Sequence, residues 1–213
     1  MARFLQIDDR LHDYVVQHST LPDPVLPSLA ARTSELGDVS QMQIGADQGA
    51  FLTTLVRLVD AHFAVEVGTF TGYSSVCIAR GLAAGGRLLC CDVSEEWTAV
   101  AREAWVEAGV DDRIDLMIGP AADTLAQLGP EPVDFAFVDA YRTYLDLLLP
   151  KLAPNGVIAV DNVLWRGTVV EPDEDDGNRT ALREFNDHVA ARDDVDVAML
   201  TVGDGISLIT KRR

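Results

Sequence analysis

A short Val-rich run, Ala64-Val65-Glu66-Val67, breaks at Gly68-Thr69-Phe70-Thr71-Gly72 and resumes as an apolar-periodic segment through Arg80. That order of signals predicts a buried strand, a tight loop and a helix. Gly68 and Gly72 let the backbone approach a ligand closely, and the loop delivers the amino end of the helix with its unpaired N–H groups. A dinucleotide site spaces its glycines G-x-G-x-x-G to seat a pyrophosphate. Here they stand as G-x-x-x-G behind Glu66, an acid on the strand itself. A carboxylate there repels a pyrophosphate and suits a cofactor with a cationic group and no phosphates. The next strand, over 87–92, ends on Asp92, where folds of this kind hold ribose hydroxyls. The two acids together suggest S-adenosylmethionine, whereas the glycine loop taken alone also fits an ordinary strand-to-helix turn.

The chain before this stretch reads as helical, over 5–18, 24–36 with Gly37 as its stop, and 47–59 with Phe51, Leu52, Leu55, Val56 and Val59 on one face. These helices could cover the sheet, close the site or make an oligomer contact. From residue 63 onward strand and helix signals alternate. Ser94 with Glu95 and Glu96 predicts a capped helix to Ala108 that ends at Gly109. Further strands are expected over 113–118, 133–139 and 156–161, with a helix over 145–152 that Pro150 ends or kinks. An acidic loop over 171–177 precedes a helix over 180–191, and segments 195–202 and 206–210 close the chain as a hairpin around Gly203-Asp204-Gly205. Alternating units imply an α/β fold with a doubly wound, mostly parallel sheet of seven strands, one of them antiparallel, and helices on both faces. The expected organisation is one domain over 1–213, residues 1–60 forming a helical cap and 61–213 the sheet core.

Composition narrows the partners. The chain has 213 residues, 48% hydrophobic and 24% charged, with a net charge of −17. A chain without a basic face is not expected to bind nucleic acid or an anionic membrane surface. No run is long enough to span a bilayer and the amino end carries acids where a signal peptide needs an apolar stretch, so the expected location is cytoplasmic. Cys77, Cys90 and Cys91 lack C-x-x-C spacing and read as small core residues. His12, His18, His62 and His188 are scattered and are expected to be surface or satisfied core residues.

A second constellation lies at two strand ends, Phe137-Val138-Asp139-Ala140 and Ala159-Val160-Asp161-Asn162. Functional groups in open α/β sheets gather beyond the carboxyl ends of the strands. Two carboxylates and an amide suit a hard cation such as magnesium or calcium. Equally, Asp139 could be a strand cap or cofactor contact and Asp161-Asn162 a turn.

These motifs have an order. Met42-Gln43-Ile44, Glu66 through Ser74, Cys91-Asp92 through Trp97, Ile118-Gly119-Pro120-Ala121, Val138-Asp139-Ala140, Asp161-Asn162-Val163-Leu164-Trp165 and Val202-Gly203-Asp204-Gly205 follow one another over nearly the whole length. The chain resembles the cation-dependent class I O-methyltransferases of the caffeoyl-CoA and catechol type, most of all small bacterial members. The resemblance implies a Rossmann-like fold, S-adenosylmethionine, a divalent cation (magnesium, or calcium or manganese), a catechol-type phenolic acceptor and a homodimer. It implies that Met42 and Ile44 border the methionine part of the cofactor, Glu66 its amino group or the approach to it, and Gly68 and Ser74 its aminocarboxylate. Asp92 takes the ribose and Ala121 faces the adenine. Asp139, Asp161 and Asn162 become the metal ligands and catalytic set, Asp139 also lying near the methionine amino group, and Trp165 flanks the acceptor ring.

One departure stands out. The family motif continues from Asp-Ala into Asp-Lys and two more residues before a tyrosine, whereas Ala140 runs directly into Tyr141. Because everything flanking the join fits, about four residues including an aspartate and a lysine are expected between Ala140 and Tyr141. Two rival functions remain at this level, a catalytically silent S-adenosylmethionine-binding protein and, further off, a nicotinamide-dependent oxidoreductase.

Overall fold

The computed structural model describes residues 5–20, 24–171 and 177–212, so positions 172–176 of the acidic loop lie outside the described residues. The first strand, β1 (Phe63–Val67), is buried along its whole length, and β2 (Arg87–Asp92) pairs with it in parallel. β3 (Ile114–Ile118), β4 (Val133–Asp139) and β5 (Leu152–Asp161) continue the parallel set, and β6 (Val195–Leu200) and β7 (Ile206–Lys211) form the closing hairpin. The seven-stranded order is β3-β2-β1-β4-β5-β7-β6. β7 runs antiparallel to both neighbours, so six strands share one direction and one opposes them. The order reverses at β1, between β2 and β4, which is where such sheets open a crevice.

The helices divide between the faces. α2 (Val25–Ser34), α3 (Ala46–Leu58), α4 (Tyr73–Gly81) and α5 (Glu95–Ala108) bury Leu29, Leu52, Ile78 and Trp105 against one face. α6 (Ala121–Ala126), α7 (Arg142–Leu148) and α8 (Gly177–Ala190) bury Leu125, Leu145 and Phe185 against the other. α1 (Asp9–His18) buries no side chain and meets α3 through His12 Nε2 and Asp47 Oδ1, 3.4 Å apart.

Local chemistry accounts for most boundaries. The Ser94 hydroxyl accepts from the Trp97 N–H at 3.2 Å to start α5, and Gly109 at φ +64 ends it. The helix expected over 145–152 starts earlier, at Arg142, and gives way at Leu148 to a 3₁₀ turn, Leu149–Lys151, built around Pro150. β5 starts four residues before the expected Gly156. Its pairing with β4 slips between Val133 and Phe135, which absorbs Pro154 and Asn155 at the edge of the ladder. The six-residue α6 is too short to leave a periodic signal and was not foreseen.

The loop expected between Ala140 and Tyr141 is not there. The two residues are consecutive, and the Tyr141 N–H donates to the Asp139 carbonyl at 2.7 Å, so the chain turns tightly at the end of β4 and enters α7 at once.

α3 and α4 pack closely because glycines face across the contact. A Cβ at Gly81 would stand 2.7 Å from Val56 Cβ and 2.8 Å from the Thr53 carbonyl oxygen. Gly81→Ala is therefore expected to lower stability by about 1–3 kcal/mol through overpacking, read as a fall in the urea midpoint at constant slope. An unmoved midpoint would show that this helix pair is free to separate.

Candidate active site

Parallel registration sets Val67 beside Cys91 and Asp139 beside Asp161, so the carboxyl ends of four strands converge. Beyond them lies a cavity of about 1000 Å³, at the upper end of the range for small-molecule clefts and large enough for a nucleoside-sized ligand with a second molecule. Met42, Ile44 and Gly68 line it, as do Asp92 and Ala121; so do Asp139, Asp161, Asn162 and Trp165. Glu66 and Ser74 are not among its lining residues.

One side of the cavity is built on two loops joined by Asp92. This residue ends β2 and is 9% exposed; its Oδ2 accepts from the Phe70 N–H and its Oδ1 from the Ser94 N–H, both at 2.8 Å. The bridge pins the glycine loop to the start of α5, and the Phe70 and Trp97 rings meet edge to face at 5.1 Å above it. Gly68 holds φ +88, and a Cβ there would point to within 3.6 Å of Asp139 Oδ2, filling the gap between loop and carboxylate. Gly72, at φ +91, packs so closely on α5 that a Cβ would meet Ala101 Cβ at 2.7 Å. The first glycine thus clears space for a ligand and the second lets the helix dock.

Glu66 lies behind this wall. Alternation along β1 turns it toward the α4 face, where it is fully buried opposite its register partner Cys90, whose thiol donates to Oε2 at 3.3 Å. Burial pushes its carboxyl up to about 7; the Ser74 hydroxyl, the Cys90 thiol and the Thr69 hydroxyl pull the other way, and Asp92 adds to the rise. Glu66 and Ser74 therefore support the glycine loop from beneath.

At the other side, Asp161 is 6% exposed and fully engaged. Oδ2 accepts from Gln48 Nε2 and Oδ1 from the Asn162 N–H, both at 2.8 Å. Asn162 takes φ +59, a left-handed conformation that asparagine tolerates, and its side-chain amide hydrogen-bonds to Asp139. Burial raises both carboxyls, Asp161 to about 6, with the Asn162 N–H and Gln48 opposing and Asp139 and Asp204 adding to the rise. Among the described residues neither carboxylate has a cationic partner, and no three His, Cys, Asp or Glu side chains gather to hold a metal. The set reaches three donors only with the Asn162 amide. Three oxygens with two uncompensated charges are the donor chemistry of a hard divalent cation.

Phe70, Trp97 and Asp204, which stand in the sequence motifs without an assigned role, and Gln48 and Tyr144, which stand in none, all line the cavity. Gln48 was detectable, being a polar residue one turn before Leu52 on an otherwise apolar face. Tyr144 was hidden, because only the tight turn after Asp139 carries it inward. Its phenol is raised by burial first and by Asp139 next.

The comparisons with known proteins agree with this geometry. A family model described as O-methyltransferase matches residues 16–212. Caffeoyl-CoA O-methyltransferase 2 of Zea mays is 35% identical, the match covering 94% of this chain and 82% of the relative. The O-methyltransferase TomG of Streptomyces achromogenes, solved with S-adenosylmethionine, superposes with a TM-score of 0.83 at 31% identity over 96% of each chain. The methyltransferase PaMTH1 of Podospora anserina, solved with S-adenosylhomocysteine, gives 0.88 at 27% identity over the whole of both chains.

Glu66 makes stability depend on pH. An ordinary Glu titrates near 4.5 and this one near 7, so the native state holds the proton more tightly. The resulting stabilisation is complete below 4.5 and is lost as pH rises through 7, by about 3 kcal/mol. The urea midpoint of Glu66→Gln minus that of the native chain is expected to rise between pH 5 and pH 8. A difference that stays flat would show that Glu66 is ionised throughout.

Proposed function

Because the chain belongs to the O-methyltransferase family and is an S-adenosylmethionine-dependent O-methyltransferase, we propose that it methylates one hydroxyl of a catechol-type small molecule with the aid of a divalent cation, magnesium first, with calcium or manganese as alternatives. The observation that carries this reading is the oxygen triad of Asp139, Asp161 and Asn162, set in the same cavity as the glycine loop. S-adenosylmethionine supplies an electrophilic methyl on a sulfonium, and a divalent cation on two vicinal oxygens would lower the pKa of the attacked hydroxyl and fix its direction.

The chain's own residues divide the remaining work. Asp92 accepts the ribose hydroxyls from a carboxylate already oriented by two backbone N–H groups. Met42 and Ile44 border the methionine chain, Gly68 admits the aminocarboxylate, Ala121 faces the adenine, and Asp139 attracts the methionine amino group while sharing the cation. Glu66 and Ser74 act one layer back, by holding the loop. Asp161 keeps its direction through Gln48, and Trp165 flanks the acceptor ring. No lysine lines the cavity: Lys151 donates to the Leu128 carbonyl at 2.7 Å and Lys211 to the Leu152 carbonyl at 2.6 Å, both elsewhere. Tyr144, whose phenol is raised, stays protonated at neutral pH and does not replace a base. Acceptor activation then falls to the cation. A lysine base would have added about 10²–10⁴-fold. The proposal includes a homodimer, in which the exposed Tyr14 and Val15 of α1 would find cover.

Asp92→Ala is expected to raise the dissociation constant for S-adenosylmethionine by about ten- to hundredfold, the worth of hydrogen bonds to a charged group. An unchanged constant in calorimetry would remove Asp92 from the ribose site. Chelation should abolish turnover and magnesium restore it, while Asp161→Ala loses turnover beyond rescue and retains cofactor affinity. Full activity of Asp161→Ala would take the cation out of the reaction.

A further inference from the structure

Four carboxylates, Asp92, Asp139, Asp161 and Asp204, line the cavity, and among the described residues Arg166 is its only Lys, Arg or His. In a chain of net charge −17, several arginines elsewhere pair with acids: Arg32 with Glu103, Arg192 with Asp194 and Arg212 with Asp196. Arg166 stands apart from those pairs. Among the described residues the Arg166 guanidinium makes no ion pair; Nη2 donates at 2.6 Å to Oε1 of Gln41, which also lines the cavity. The remaining N–H groups of the fork are left for a ligand.

The backbone presents this side chain deliberately. Trp165, Arg166 and Gly167 take φ of 46°, 55° and 78° in succession, a left-handed run that two of the three adopt against preference. The run is pinned from below. Leu164 N–H donates to the Asp204 carbonyl at 3.0 Å, Gly167 N–H to the Leu164 carbonyl at 2.9 Å, and Arg166 N–H to the Asp204 carboxylate. Trp165, assigned to the acceptor ring, is the immediate neighbour of Arg166.

We propose that Arg166 anchors a carboxylate carried by the acceptor, so that the preferred substrate is a catechol acid in its free form. This rests on the catechol O-methyltransferase reading and narrows it. A planar fork matches a carboxylate with two parallel hydrogen bonds. A coenzyme A thioester instead brings several phosphates, which call for several cations; this cavity offers one, beside Asp204 and in a strongly acidic chain. The substrate preference therefore departs from the one printed in the name of the maize relative.

The test compares kcat/KM for 3,4-dihydroxycinnamate, its coenzyme A thioester and uncharged 4-methylcatechol, with S-adenosylmethionine and magnesium, in the native chain, Arg166→Gln and Arg142→Gln. The native chain should prefer the free acid. Arg166→Gln should lower the ratio of acid to neutral catechol by about ten- to hundredfold, mainly through KM. Arg142→Gln, an exposed cation outside the cavity, should keep the native ratio. An unaltered ratio in Arg166→Gln overturns the anchor, and a larger loss on the thioester than on the free acid overturns its carboxylate specificity. If no catechol is methylated with any cation, the catechol reading has failed, and calorimetry on protein loaded with S-adenosylhomocysteine still decides the anchor. An Arg166-dependent preference for dihydroxycinnamate over methylcatechol supports it, and equal binding overturns it.

Discussion

Parallel registration of β2, β1, β4 and β5 is the constraint from which the site follows. A parallel sheet sends all its carboxyl ends to one edge, and the reversal of strand order at β1 leaves a gap there that no helix fills. Asp92, Asp139 and Asp161 are the last residues of their strands, so a shift of one residue in any pairing would turn its acid to the opposite face. The close α3–α4 and α4–α5 contacts, made possible by Gly81 and Gly72, keep this edge fixed from the helical side.

The site is also where the chain tolerates unfavourable states. Asp60, Phe70, Asn162, Trp165 and Arg166 are the non-glycine residues at positive φ among those described, and all but Asp60 line the cavity. Buried carboxyls with raised pKa values, Glu66 and Asp161, stand beside or behind it. Each such state costs stability and persists only where neighbours over-determine it. Here the neighbours are identifiable: Ser94 and Phe70 N–H groups on Asp92, Gln48 on Asp161, and the 203–205 turn beneath Arg166. The acids of the cavity make it a place for a ligand that carries positive charge.

The helices before β1 take part in the chemistry as well as in the packing. α2 and α3 complete one hydrophobic layer, while the chain between them carries Gln41, Met42 and Ile44 to the cavity wall and α3 sends Gln48 to Asp161. The same cap that lines the cavity thus also orients the Asp161 carboxylate.

The order of strands and helices, the glycine loop and the three acids at strand ends were legible in the sequence, because each is written in contiguous residues whose period, turn chemistry or spacing has a local cause. So was the kinship, carried by many short motifs in one order. What the chain alone did not decide was direction and company. Glu66 reads as a site residue until alternation and the α4 face bury it against Cys90. Nothing local in the sequence marks Arg166; a left-handed turn braced by Asp204, 38 residues away in the chain, brings it to the cavity wall. The tight turn after Asp139 likewise carries Tyr144 inward. Local patterns fix which way a side chain leaves its own element, but only contacts between elements distant in sequence decide what it then faces.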